Sequence, residues 1–74
     1  MDNIVDIWVD GFLRKSNVED LQELPVYIIK AEIAEMKAMI MDEEVRLAGG
    51  SEFAAENIKN IKKYISVLKE VLKV

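Results

Sequence analysis

Between Pro25 and Gly49 the chain carries two apolar stripes that cannot share one face of a helix. The first runs Val26, Ile29, Ile33, Met36, Ile40 and Leu47, with Glu43 in the one slot that should be apolar. The second runs Tyr27, Ala31, Ala34, Ala38, Met41, Val45 and Ala48. Each steps by alternating threes and fours, the spacing of a helix packing seam. A helix covered on one side needs only one such stripe. A helix over Val26–Ala48 that bears both asks for neighbours on opposite sides, and this limits the fold more than any other feature.

The run ends at Gly49-Gly50-Ser51. A glycine just past a periodic segment stops a helix because it takes the left-handed cap conformation without a Cβ clash. Ser51 then suits the N-cap of a following helix, with Glu52 well placed for its dipole. That helix carries its own stripe, Ala54, Ile58, Ile61, Ile65, Leu68 and Leu72. Two long helices joined by so short a loop lie antiparallel, so facing residues have numbers summing to roughly 97 or 98. The stripes obey this: Val26 meets Leu72, Ile29 meets Leu68, Ile33 meets Ile65, Met36 meets Ile61, Ile40 meets Ile58, and Glu43 falls opposite Ala54. The flanking charges agree in sign, with Lys30 near Glu70, Glu35 near Lys62 and Lys63, and Glu43 near Lys59.

The first third admits two readings. Asp2 or Asn3 would cap a short helix from Ile4 to Lys15, with Ile4, Trp8, Phe12, Val5, Val9 and Leu13 on one broad face and Asp2, Asp6 and Asp10 on the other. Gly11 weakens that helix, and Asp10-Gly11 is a hairpin turn signal between Ile4–Val9 and Phe12–Arg14. The helix is favoured because an isolated two-stranded hairpin is marginal in water. Ser16-Asn17 looks like a second helix start for Val18 to Leu24, and Pro25 either opens the long helix or kinks a continuous one.

These readings predict an all-α fold: an antiparallel helical hairpin (about 26–48 and 52–73) with a short N-terminal helix or helices, assembled into a helical-bundle oligomer. Residues 1–74 form one small helical domain. Within it, 1–24 pack on the hairpin or on a neighbouring chain, and 25–74 form the hairpin.

A chain of 74 residues lies near the size at which a lone core is marginal, and 51% apolar residues is too many for disorder. With neither Cys nor His, disulfides, thiolate and imidazole metal sites, and the usual nucleophile–base pairs are all absent. No catalytic, cofactor or metal residues and no small-molecule substrate are therefore expected. Asp2, Asp6 and Asp10 fall where a signal peptide needs a basic start and an apolar run. Lys30, Glu32, Glu35 and Lys37 interrupt the most apolar stretch, so it reads as no membrane span, and a cytoplasmic location is expected.

The net charge of −4 is unevenly spread, with acids concentrated in residues 1–25 and Lys59, Lys62, Lys63, Lys69 and Lys73 in the last helix. Those lysines recur on a polar face, yet the whole chain is acidic and only Tyr64 lies among them, so nucleic-acid binding is disfavoured. Asp42-Glu43-Glu44 sits near a helix C-terminus against the dipole. Glu43 stands out there, because a polar residue in a seam fixes register or oligomeric state at some cost in stability.

Arg46-Leu47-Ala48-Gly49-Gly50, followed by Asn57-Ile58-Lys59-Asn60-Ile61-Lys62-Lys63-Tyr64-Ile65, resembles small phage head–tail joining proteins over less than half the chain. Those proteins share a helix, a Gly-rich break and a second helix with a Leu-Lys-Lys-Tyr-Ile-like run. Their β-hairpin between the helices has no room here, so the resemblance suggests a phage or mobile-element origin and transfers no residue role.

The sequence thus divides into an intramolecular seam and a surplus. The seam is Val26, Ile29, Ile33, Met36, Ile40, Ile58, Ile61, Ile65, Leu68 and Leu72. The surplus is the candidate partner or oligomer interface: Trp8, Phe12, Tyr27, Ala31, Ala34, Ala38, Met41, Val45, Tyr64, Val67 and Val71. More apolar surface than one hairpin hides points to self-association and to an unidentified protein partner. The expected function is a small non-catalytic adaptor or regulator acting by helix packing. The alternative is a structural assembly subunit, of virion or connector type, whose oligomerisation is its function.

Overall fold

Ile4, Val5, Ile7, Trp8 and Val9 are residue types that fit a pleated, half-buried surface, and they form a strand rather than a helix. The computed structural model describes residues 4–9 and 11–73. Its elements in chain order are β1 (Ile4–Val9), β2 (Phe12–Asn17), α1 (Val18–Gln22), α2 (Val26–Ala48) and α3 (Glu52–Lys73). β1 and β2 pair antiparallel, from Ile4 opposite Asn17 to Val9 opposite Phe12. Gly11 adopts a φ of 86° in the tight connection, a conformation that residues with a Cβ rarely take. Across the strands Lys15 Nζ meets Asp6 Oδ1 at 2.8 Å.

The class is therefore α+β, which corrects the all-α expectation and the helical-bundle assembly drawn from it. The expected helix over Ile4–Lys15 is a hairpin. The physical reason lies elsewhere in the chain. The argument for a helix supposed an isolated hairpin, but β1 packs on α3. Val5 and Ile7 join a core containing Trp8, Tyr64 and Val71, so the hairpin gains the apolar cover it lacks alone. The expected caps Asp2 and Asn3, and the acid Asp10, lie outside the described residues.

Asn17 closes the hairpin and opens α1, its side-chain oxygen accepting from the Glu19 N–H at 3.0 Å. Pro25 sits at the N-cap of α2 with φ −58°, so it starts that helix and kinks nothing. At the far end, Gly50 adopts φ 94° while its N–H bonds the Leu47 carbonyl and the Ser51 N–H bonds the Arg46 carbonyl, each at 3.0 Å. This is a Schellman cap, and it turns the chain back into α3.

α3 is the central element, packed against α2, β1 and α1. Ile29 and Met36 of α2 are buried, as are Ile61, Ile65 and Leu68 of α3. Ile33, Ile40, Ile58 and Leu72 are half-buried, and Val26, at the open end of the seam, is 57% exposed. None of the expected flanking pairs (Lys30 with Glu70, Glu35 with Lys62 or Lys63, Glu43 with Lys59) forms among the described residues. Glu70 instead pairs with Lys73 at 3.5 Å along its own helix, and Glu43 with Arg46 at 3.2 Å. No helix among the described residues is long and apolar enough to cross a membrane.

Candidate protein-docking face

The surplus apolar residues separate into two groups. Trp8, Tyr64 and Val71 are buried in the common core and Val67 is half-buried against it. Tyr27, Ala31, Ala34, Ala38, Met41 and Val45 are all exposed. The large members of this second group are open to a degree unusual for aligned apolar side chains: Tyr27 71%, Met41 68% and Val45 73%. Phe12 is likewise exposed, on β2.

Helix geometry explains the separation. At about 100° per residue, Tyr27, Ala31, Ala34, Ala38, Met41 and Val45 lie within roughly 40° of the direction opposite Met36. Met36 is buried against the core, so this stripe points straight away from α3. β1 and α1 pack on α3, where Tyr64, Val67 and Val71 are buried or half-buried, and the outer face of α2 is left bare. Lys30, Lys37 and Glu44 border the bare face on one edge, Ile28, Glu35 and Asp42 on the other, and all six are exposed.

The acidic run Asp42-Glu43-Glu44 does not converge. Glu43 turns inward and is buried, while Asp42 and Glu44 stay exposed on opposite edges. Arg46 Nη1 donates to Glu43 Oε1 and Asn57 Nδ2 donates to Oε2, each at 3.2 Å. Asn57 is a partner that sequence pairing missed, although it lies one turn beyond Ala54, the residue expected opposite Glu43. Among the described residues no three carboxylates are grouped to hold a metal ion.

Two clefts open on the surface of the described residues. One, of about 290 Å³, is lined by Trp8, Gly11, Met39, Asp42, Glu43 and Arg46. Met39, which falls on the polar side of the sequence pattern, is half-buried there against the core. The other, about 330 Å³ and mostly apolar, lies between β1, α1 and α3 beside Val5, Val18, Val67 and Val71.

A small electrostatic cluster sits where α2 crosses α3. Burial, followed by the charges of Glu32 and Glu35, pushes the Tyr64 hydroxyl up to about 12, and its hydrogen bond to Glu32 acts in the same direction. Burial and then the Glu35 charge hold the Glu32 carboxyl above the ordinary glutamate range, opposed by that hydrogen bond. The Lys15 hydrogen bond and charge hold Asp6 below the usual carboxylate range.

No family model matches the chain, and neither the curated proteins nor the solved structures contain a match to it.

Proposed function

We propose that the chain is a small non-catalytic protein-binding module, an adaptor or regulator, that works by seating a helix on the outer face of α2. One observation carries the reading: Tyr27, Met41 and Val45 stand 68–73% exposed in one line, on the side opposite the core. Large apolar side chains aligned on one face mark an interaction surface far more than the same residues scattered singly. The alanines between them let a second backbone approach at the close end of the usual 8–10 Å helix spacing. Each large side chain contributes roughly 1.5–3 kcal/mol when fully buried. Association itself costs about 4–15 kcal/mol, so the expected complex is reversible rather than permanent.

The test is sedimentation velocity and hydrophobic-dye binding at concentrations on the order of tens of micromolar, for the native chain and for Met41→Glu plus Val45→Glu. The native chain is expected to sediment above its 8.5 kDa monomer mass or to bind the dye. The variant should lose both properties with unchanged helicity. A native chain that stays strictly monomeric, melts cooperatively and binds no dye overturns the reading.

A further inference from the structure

We infer that the helix seated on the outer face of α2 is α2 of a second copy of this chain, parallel and in register; this rests on the reading of that face as a docking surface. The shape of the stripe alone admits two orientations. Run antiparallel, Tyr27 lies opposite Val45, Ala31 opposite Met41 and Ala34 opposite Ala38. Run parallel, each residue meets its own counterpart. Both bury the large side chains and bring the alanines together.

The charges on the two edges choose between them. In a parallel pair, a residue on one edge faces the residue about five positions further along on the opposite edge of the neighbouring helix. Lys30 then meets Glu35 of the second copy, and Lys37 meets Asp42 of the second copy. The twofold axis repeats both, so every charge on the central two turns finds an opposite one. In the antiparallel pair, Glu35 meets Glu35 and Lys37 meets Lys37 at the axis, and only Lys30 with Glu44 is complementary. Like charges in register oppose pairing, so that orientation is selected against.

These edge charges are free for this use. Lys30, Glu35, Lys37 and Asp42 are all exposed. None belongs to an ion pair of the described residues, which are Lys15–Asp6, Arg46–Glu43 and Lys73–Glu70. α3 packs on α2, and the hairpin approaches α2 at the cleft that Trp8 and Gly11 share with Met39, Asp42, Glu43 and Arg46. The line from Tyr27 to Val45 itself is exposed along its length and open to a second copy.

The absence of cysteine makes the orientation directly testable. Ala31→Cys places one thiol per chain on the bare face. In the parallel pair the two thiols are adjacent, and oxidised glutathione converts the protein to a disulfide dimer. In the antiparallel pair they are about 15 Å apart along the axis, beyond disulfide reach. There, only a mixture of Ala31→Cys with Met41→Cys yields the mixed disulfide.

Charge reversal supplies the second arm. Lys30→Glu plus Lys37→Glu, and separately Glu35→Lys plus Asp42→Lys, should each weaken self-association at least about tenfold with unchanged circular dichroism, and an equimolar mixture should restore it. A dimer that forms only the mixed disulfide, and that tolerates Glu35→Lys plus Asp42→Lys, overturns the parallel pair and leaves the docking reading standing. A strict monomer that still binds hydrophobic dye overturns the second copy as occupant. A strict monomer that binds no dye overturns both.

Discussion

Asn57 on α3 donates a hydrogen bond of 3.2 Å to Glu43 on α2, inside an otherwise apolar seam. Arg46 holds the other carboxylate oxygen, so the buried acid has a donor for each oxygen. The pair fixes the longitudinal position of α2 against α3, because a slip by one turn leaves the Glu43 carboxylate without its α3 donor. Asn57→Ala is expected to destabilise the domain by about 1–2 kcal/mol, as a buried acceptor loses its partner. In a Glu43→Leu background the same change should be near neutral, because the apolar side chain has nothing to satisfy. Urea titration of the four proteins in a double-mutant cycle measures this, and equal effects of Asn57→Ala in both backgrounds would show that the two side chains are uncoupled.

Trp8 ties the hairpin to the helices. It is 5% exposed and belongs to the core that also holds residues of α1, α2 and α3. Trp8→Ala should remove about 3–5 kcal/mol, a large share of the stability expected for a domain of this size. Phe12→Ala, on the exposed strand, should change stability by less than about 0.5 kcal/mol. Both are read from urea midpoints by far-ultraviolet circular dichroism. A small effect at Trp8 would mean the hairpin docks by other contacts.

The two glycines of the helix turn should differ sharply. Gly50 has φ 94°, where a Cβ is strained whatever the free space. Gly50→Ala is expected to cost about 1–2 kcal/mol. Gly49 has φ −81°, and an added Cβ would sit 3.4 Å from the Arg46 carbonyl oxygen, an ordinary contact. Gly49→Ala should lie within about 0.5 kcal/mol of the native protein. Thermal melts at one protein concentration separate the two, and equal losses would contradict the Schellman geometry.

Tyr64 predicts an alkaline limit to stability. Its hydroxyl titrates at about 12 in the folded chain, against about 10 when unfolded. The folded state holds this proton more tightly. Its contribution is therefore complete below about pH 10 and is lost as pH climbs toward about 12. The urea midpoint should fall more steeply across that window in the native protein than in Tyr64→Phe. The two proteins differ only in the phenol oxygen, so the difference between them isolates that group. In Tyr27→Phe, which leaves Tyr64 as the single tyrosine, ultraviolet titration should show the late transition directly. An ordinary phenol midpoint would refute it.

The two long helices were legible because their signals are local. The stripes from Val26 and from Ala54 repeat at helical spacing, and α2 and α3 span Val26–Ala48 and Glu52–Lys73. Gly50 announced the turn through the one conformation it takes freely. The partner of Glu43 was harder to read. A rule that pairs residues by summed numbers finds layers, whereas Asn57 reaches Glu43 from an adjacent turn with a side-chain amide. The expected surface ion pairs failed for a related reason: exposed charges gain too little from one another to hold long side chains in a fixed geometry.

The sequence by itself determined α2 with its two faces, α3 and the turn between them, since periodicity and capping act over a few residues. It favoured a helix over Ile4–Lys15, where the structure has a hairpin, because the same apolar residues suit a strand and a helix face. Only the tertiary structure resolved that segment, through burial: Val5, Ile7 and Trp8 gain more from packing with Tyr64 and Val71 on α3 than a lone hairpin supplies. The same packing commits the hairpin to α3, and so leaves Tyr27, Met41 and Val45 facing water.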